Sequence, residues 1–366
     1  MKRLILLFAL IFLFLPSPTF AQIPQQAFLK GTVIKIEKEG TKDIGTSKNI
    51  FQTVRVKILE GEEKGKEITL EHGGMFTIQE SQKVNLGDQV VITQTSTNGE
   101  STYTITDRYR LDKLLFILVG FFALVIGMAG RRGIGAVIGL IISILVITQF
   151  IVPQILSGSD PLFVSIVGSL FILVTTIYLA HGFSQKTTIA VGSTFISLVL
   201  TAIFATVFVS LAKLSGLGSE DAYSLAQGFN GIINFKGLLL GGIIIGALGV
   251  LDDVTTTQSA AVFALAAENA KLTTAQLFQR GFSIGKEHIT SVVNTLVLAY
   301  AGASIGVFIF LILALQNNQP LWMIVNSEAI AEEVVRTLAG SIGLILAVPI
   351  TTLLAAFFAK YSVSIK

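Results

Sequence analysis

From residue 111 onward the sequence is a succession of long apolar stretches, and this feature constrains the fold more than any other. A helix needs about 20 apolar residues to cross the hydrocarbon core of a bilayer. Charged residues make up 13% of the chain, against about 25% in soluble proteins. The stretches of suitable length are 114–130, 133–156, 161–180, 187–212, 237–256, 289–316 and 338–359. We therefore predict an all-α polytopic bundle of about seven transmembrane helices over residues 111–366.

The N-terminus has the three-part pattern of a secretory signal peptide. Lys2 and Arg3 precede an apolar core from Leu4 to Leu15, and small residues lie at the positions that determine cleavage. We predict a signal peptide over residues 1–21, cleaved after Ala21. An uncleaved signal anchor is the alternative.

Residues 22–110 differ from the rest because charges are frequent and β-branched residues alternate with polar ones. Several short runs each predict a strand. Gly61, Gly73-Gly74, Gly87 and Asn98-Gly99 mark turns between them. We predict a small all-β domain, a barrel or a sandwich, with an OB-like barrel as one form. Because the signal peptide exports this domain, such a barrel does not indicate nucleic acid binding.

The distribution of basic residues predicts the orientation of the bundle. With the β-domain outside the cell, most Lys and Arg residues of the later loops fall inside, which the positive-inside rule favours. The inside set is Arg131, Arg132, Lys186, Lys271, Arg280, Lys286, Lys360 and Lys366. Lys213, Lys236 and Arg336 fall outside, as do the acids Glu328, Glu332 and Glu333. We predict a bacterial cell (inner) membrane protein with an extracytoplasmic β-domain and a cytoplasmic C-terminus.

Composition excludes several function classes. The chain has no cysteine, so it has no disulfide, thiolate metal site or cysteine nucleophile. Its histidines, His72, His181 and His288, have no metal-binding spacing, and a net charge of +3 is too small to indicate nucleic acid binding. No GxxxxGK[ST] loop is present. We predict no metal, no cofactor and no nucleic acid partner, and the chain leans away from being an enzyme.

Two adjacent aspartates interrupt a long uncharged run. Asp252 and Asp253 lie in GALGVLDDVTTTQSAA, inside a segment without other charges from Gly237 to Ala267. A carboxylate at the centre of a bilayer costs about 2.5–3.5 kcal/mol, and such residues are functional by default. We expect the pair to face the bundle interior or a watery cavity. The alternative is a plain helix whose aspartates lie at the wet inner interface.

Helix geometry predicts what surrounds the pair. Neighbouring positions are about 100° apart and residues three or four apart share a face. The segment therefore presents a wide oxygen-lined surface, formed by Asp252, Asp253, Thr255, Thr256, Thr257 and Gln258. We predict that this surface binds a proton or a cation. Gly246 and Gly249 before the pair, and the threonines after it, favour a helix break of the kind that transporters use; a helix that continues into the cytoplasm is the alternative.

Other positions are predicted to support this site. Asn294 and Thr295 lie at a similar depth in the next span, where Asn294 is placed to donate to either aspartate. His288 lies at the cytoplasmic edge, either as a proton relay or simply solvated. Small residues let membrane helices approach closely, and we predict helix packing at Gly242, Gly246, Gly249, Gly302 and Gly306.

The segments GALGVLDDVTTTQSAAVFAL and NTLVLAYAGASI resemble the signature segments of the YibE/F-like bacterial membrane proteins. The resemblance covers residues 112–361, with the signal peptide and β-domain as the usual leader. It implies a polytopic inner or plasma membrane protein and points to transport without specifying a substrate.

We therefore expect a transporter or permease that carries a proton or cation site at the aspartate pair. The alternative is a non-catalytic scaffold whose β-domain binds an envelope partner. An intramembrane hydrolase is disfavoured, because neighbours on one helix diverge and aspartyl chemistry needs convergent carboxylates. The expected partners are the lipid bilayer and a small solute or cation, and the oligomeric state is left open.

Overall fold

A computed structural model describes residues 27–44, 47–97, 100–228 and 231–364. The chain divides into a unit that holds the strands and a unit that holds the helices from Val125 onward. The predicted signal peptide, residues 1–21, lies outside the described residues, as does the turn predicted at Asn98-Gly99.

The strand unit is one antiparallel sheet with the order β3-β2-β1-β4-β5. The strands are β1 (Ala27–Ile44), β2 (Ser47–Ile58), β3 (Glu67–Ile78), β4 (Gln89–Thr97) and β5 (Glu100–Arg108). The edge strands β3 and β5 also contact each other, so the sheet curls around its core as a partly open barrel. The core consists of Val33, Val54, Val56, Ile58, Ile68, Leu70, Val84, Val90, Ile92 and Ile105. The predicted small all-β domain is confirmed.

Of the glycines predicted to mark turns in this unit, two lie between strands and one lies within a strand. Gly61 and Gly87 have φ values of 87° and 86°, which glycine adopts at no steric cost, and both lie between strands. Gly73 lies inside β3 instead. There the pairing partner of β2 jumps from Ile78 to Gly73 between adjacent residues, so this glycine marks an irregularity within a strand.

The described helices run from residue 111 to residue 364. They are α1 (Leu111–Ala129), α2 (Arg131–Val146), a π-helical turn (Ile147–Ile151), α3 (Val152–Leu156), α4 (Pro161–His181), α5 (Gln185–Leu211), α6 (Glu220–Gly228), α7 (Phe235–Glu268), α8 (Thr274–Ala303), α9 (Ile305–Gln316), α10 (Leu321–Val325) and α11 (Glu328–Ser364). Six helical stretches are long and apolar enough to cross a membrane, and α8 with α9 forms a bent pair that makes a seventh. The prediction of about seven spans is confirmed.

The boundaries of three spans differ from the prediction because the helices continue beyond their most apolar parts. The fifth predicted span ends at 256, whereas α7 runs to Glu268. Apolar content places the sixth span at 289–316, whereas α8 begins at Thr274. A capping box at Thr273 and Gln276 fixes that earlier start, with each side chain accepting from the other's backbone N–H. Likewise α11 begins at Glu328, ten residues before 338, since its glutamates bond within the bundle.

The helix break predicted near the aspartates is absent from this part of the described chain, so that prediction is wrong. The aspartate-bearing helix α7 is continuous over 34 residues from Phe235 to Glu268. Thr255 and Thr256 fit a helix because their hydroxyls bond back to its own carbonyls. Thr256 Oγ1, for example, donates to the backbone carbonyl oxygen of Asp252 at 2.9 Å. The sharp bend, 69°, separates α8 from α9 at Ser304. Gly302 and Gly306 flank it, and Gly/Ser positions are common sites of kinks.

The centre of the helical unit is α7, which packs against α4, α5, α8 and α11. Close approaches occur where a glycine leaves no room for a side chain. A methyl group at Gly241 would meet the Ser165 hydroxyl of α4, and one at Gly343 of α11 would overlap Thr201 of α5. These contacts fix how α7 is rotated, and therefore which of its polar residues face other helices.

Candidate functional site

The aspartates of α7 occupy different environments. Asp252 is half-buried, and its carboxyl group lies within hydrogen-bonding range of the Thr176 hydroxyl on α4. Asp253 is exposed and faces a cavity. One aspartate therefore faces the packed interior and the other an open space. Adjacent helix positions are about 100° apart, so the two side chains point in different directions.

The cavity beside Asp253 has a volume of about 310 Å³ and is formed by residues from α2, α4, α5 and α7. Its lining residues are Arg132, His181, Lys186, Thr187, Ala190, Asp253, Thr256, Thr257 and Ala260. Arg132, His181 and Lys186 were not among the residues predicted for the site. The available signal is that each lies at the inner end of a predicted span, but only the packing of the helices brings them together.

Two of the predicted site residues lie in helix interfaces instead. The Gln258 amide Nε2 donates to the Gly281 carbonyl of α8 at 2.8 Å and to the Thr352 hydroxyl of α11 at 2.7 Å. The Thr255 hydroxyl is 2.5 Å from that of Thr194 on α5. All of this lies in the buried part of the bundle, so these side chains hold helices together.

Thr256 and Thr257 lie on the cavity side of α7. Thr256 is half-buried, and its hydroxyl donates to the backbone carbonyls of Asp252 and Asp253. Thr257 is exposed. The predicted oxygen-lined surface is therefore divided, with Asp253, Thr256 and Thr257 on the cavity and Thr255 and Gln258 within the packing.

The predicted supporting residues of α8 do not reach the aspartates. Asn294 follows Gly285 by nine residues, so it points about 180° away from the face that packs on α7. It is exposed, and no hydrogen bond joins it to Asp252 or Asp253 in the described part of the chain. Thr295 donates to its own helix at the Ser291 carbonyl.

His288 is half-buried, and its Nε2 atom is buried with no hydrogen-bond partner among the described residues. It does not line the cavity beside Asp253. A proton relay through His288 therefore has no described connection to the aspartates.

Some of the glycines predicted to pack helices have a close neighbour on another helix, and others have none among the described residues. A Cβ atom at Gly242 would lie 3.3 Å from Arg336 Nη1, and one at Gly246 would lie 3.3 Å from the Tyr300 hydroxyl. These glycines thus make room for polar side chains of α11 and α8. At Gly249, Gly302 and Gly306 no such atom would meet another described residue within 4 Å, so they form no close helix contact within this chain.

The tight glycine contacts of α8 are at Gly281 and Gly285, a GxxxG pair that the prediction did not include. A Cβ atom at Gly285 would meet Val348 of α11 and the Gln258 amide of α7, and one at Gly281 would meet Val262 and Thr352. This pair therefore lets three helices converge on the Gln258 side chain.

A second polar cluster lies at the other end of α7, around the start of α11. Glu332 is buried and accepts from the Gly218 N–H at 2.9 Å, while Arg336 Nε lies 3.4 Å from Glu333. Sequence interpretation placed these residues in a loop. The signal that could have placed them in a helix is the spacing of three between Glu333 and Arg336, which suits an ion pair along a helix.

Two family models match the chain. One, described as YibE/F-like protein, matches residues 117–361, and the other, described as YibE/F family N-terminal domain, matches residues 29–108. No curated protein and no solved structure matches. Both units of the chain therefore fall within one family description, as the resemblance of the α7 and α8 segments predicts.

Proposed function

Starting from the fact that the chain belongs to the YibE/F-like family of membrane proteins, we propose that it is a transporter with a proton-binding site at Asp252 and Asp253. The observation that carries the proposal is the position of the pair. One carboxylate opens to a cavity of about 310 Å³ and its neighbour faces into the bundle. Ionisable residues in spanning segments mark proton relays and substrate paths.

The surroundings favour a proton over a metal cation. Arg132 and Lys186 line the same cavity as Asp253, and their positive charges repel any metal cation that would bind there. The oxygens of Thr255 and Gln258, which would complete a cation cage, lie in helix interfaces. A proton needs only the carboxylate and a hydrogen-bond acceptor.

Thr176 supplies such an acceptor for Asp252. Its hydroxyl already donates to the Ile172 carbonyl of its own helix at 2.8 Å. Since a hydroxyl has one proton and two lone pairs, the Thr176 oxygen is free to accept from a protonated Asp252. This arrangement satisfies the neutral carboxyl group inside the bundle, where a charged one is costly.

The face of α7 that carries Asp253 supports a path along the helix. Gly242, Gly246 and Gly249 precede Asp253 by eleven, seven and four residues, so all four positions share one face. Arg336 and Tyr300 lie over the first two glycines, and the space at Gly249 is open. Following the distribution of basic residues, we place the cavity end of this path, with Arg132 and Lys186, in the cytoplasm. The end at Arg336 then lies outside.

The second candidate is a scaffold whose aspartates only hold helices together. One observation favours it: Thr255, Gln258 and Ser259, in the same segment, already bond to neighbouring helices. In that case the strand unit binds an envelope partner and the bundle anchors it.

Proton flux in proteoliposomes tests the proposal. The full chain is reconstituted into liposomes that enclose a pH-sensitive dye. Candidate small solutes are supplied in turn outside the liposomes, and the decay of an imposed proton gradient is followed for wild type and for Asp252→Asn/Asp253→Asn. The matched control is Glu268→Gln, which removes an exposed carboxylate from the end of the same helix. We expect flux in wild type and in the control, and none above the liposome background in the double variant.

The scaffold makes the opposite prediction. Flux that is absent in wild type, or unchanged in a folded double variant, contradicts the transporter. A double variant that unfolds more easily than Glu268→Gln, with no wild-type flux, supports a purely structural role for the pair.

A further inference from the structure

We propose that the cavity beside Asp253 binds an oxyanion, a phosphate or carboxylate group, and that this anion is taken up together with a proton. The inference rests on the proposed function, because it names the substrate class of the same site. It follows from which charges line the cavity, which of them already have partners, and how much space they enclose.

The cavity wall carries more positive than negative charge. Arg132 comes from the start of α2 and Lys186 from the start of α5, whereas Asp253 is the carboxylate among the lining residues. Neither cationic side chain forms an ion pair or a hydrogen bond within the described residues, so both are available to a ligand. An arginine fork binds carboxylate and phosphate groups in a bidentate manner, and lysine adds a compact charge.

The local backbone adds to this preference. Lys186 and Thr187 lie in the first turn of α5, a helix of 27 residues whose positive end favours negative charge. The position of this turn is fixed, because the Ser259 hydroxyl of α7 donates to the Lys186 carbonyl at 2.8 Å. The cationic residue is therefore held beside the helix that carries Asp253.

The volume of the cavity suits a small ligand. At about 310 Å³ it lies at the lower end of known ligand pockets, about 300–1,000 Å³. A free small anion fits this space, and so does the phosphate of a lipid headgroup that enters from the membrane surface. The shared chemistry is the oxyanion.

Protonation of Asp253 and anion binding favour each other. The charged or titratable groups that face Asp253 are Arg132 from α2, His181 from α4, Lys186 from α5 and Asp252 on its own helix. A proton on Asp253 removes the negative charge from the cavity wall, which leaves the two cations unopposed. Such coupling is reciprocal, so the anion also promotes protonation. This linkage is what a carrier of an anion together with a proton requires.

The test is calorimetric titration of inorganic phosphate and of succinate into the full chain, held in nanodiscs of zwitterionic phosphatidylcholine. The pocket variant is Arg132→Gln/Lys186→Gln. The control is Lys271→Gln/Arg280→Gln, which removes the same charge from exposed residues outside the cavity. We expect one of the probes to bind wild type and the control equally, and to bind the pocket variant at least about tenfold more weakly, a factor worth about 1.4 kcal/mol.

Asp253→Asn tests the coupling in the same assay. It fixes the uncharged state of the side chain, so we expect binding at neutral pH to be at least as tight as in wild type and to depend less steeply on pH. The dependence that remains comes from His181 and from the probe itself. Binding that weakens in Asp253→Asn, or that the pocket variant retains, overturns the inference.

Phosphatidylglycerol that copurifies with the protein, measured by native mass spectrometry, distinguishes the two sources of the oxyanion. Its loss in the pocket variant alone, with no binding of either probe, identifies a lipid headgroup and overturns the free anion. No binding and no such loss overturn the site altogether. Anion binding without aspartate-dependent proton flux, when that flux is measured with the same anion supplied, retains the site and removes the proposed transport. Proton flux without anion binding does the reverse.

Discussion

Two faces of α7 around residue 255 both carry polar side chains but have opposite surroundings. On one face Thr255, Gln258 and Ser259 are buried, and each bonds to a neighbouring helix. On the other face Asp253 and Thr257 are exposed to a cavity. We call these the packed face and the open face. In a membrane, a polar side chain either holds helices together or binds a ligand. What the side chain contacts, more than its residue type, determines which of these roles it has.

The largest expected effect concerns the open face. Asp253→Asn should reduce the dye-detected proton flux to the liposome background, because the amide neither takes up nor releases a proton near neutral pH. Its free energy of unfolding should change by less than about 0.5 kcal/mol, as for other exposed substitutions. A flux equal to that of wild type would show that the open face does not carry the proton.

Gln258→Leu should have the opposite profile. The change leaves the Gly281 carbonyl and the Thr352 hydroxyl without their buried donor, which costs about 1–3 kcal/mol of stability. Unfolding by SDS in mixed micelles measures this loss, and proton flux per folded molecule should be retained. Lost flux at unchanged stability would place Gln258 in the transport site and remove the distinction between the faces.

Cysteine labelling compares the faces directly, because the natural chain has no cysteine. Thr257→Cys should react with a charged, water-soluble maleimide at least about tenfold faster than Ser259→Cys, since the packed face must first open locally and an opening free energy of about 1.4 kcal/mol already gives that factor. The measurement uses inside-out and right-side-out vesicles, and only one orientation should show the contrast. Equal rates in both orientations would mean that the cavity is closed to water.

The smallest effect separates two threonines. Thr255→Val should cost about 0.6 kcal/mol, the average for a hydrogen bond between membrane helices, while Thr257→Val should cost less. A double-mutant cycle with Thr194→Val measures the coupling, which should be about the same size. A coupling of zero would show that the short contact between the two hydroxyls contributes nothing to stability.

Much of the fold follows from the sequence because a bilayer leaves few choices. Without water, every backbone group must bond internally, so apolar stretches of sufficient length become helices. The number of spans, the all-β nature of the first domain and the family all agree with the sequence. The helix ends differ, as at Thr274 and Glu328, because hydropathy marks the apolar part of a helix and not its caps.

The site was harder to predict for a geometric reason. Gln258 bonds to Thr352, which lies 94 residues further along the chain, and no periodicity within α7 indicates which face meets α11. The same holds for Arg132 and Lys186, which reach Asp253 only through the packing of separate helices. The predicted bond from Asn294 failed because similar depth in the membrane says nothing about rotation around the helix axis.

The hydrogen bonds at the start of α11 also determine which parts of the bundle are able to move. Glu328 accepts from the Ser215 hydroxyl at 2.6 Å and Glu332 from the Gly218 N–H, so the loop that leaves α5 is fastened to α11. Because α5, α7 and α11 also pack closely against one another, we expect these three helices to behave as one rigid body. A carrier built on this frame would have to work by displacing α2 and α4 on the cavity side, or by flexing at Ser304, where α8 gives way to α9. The aspartates would then stay at rest while the walls around them move.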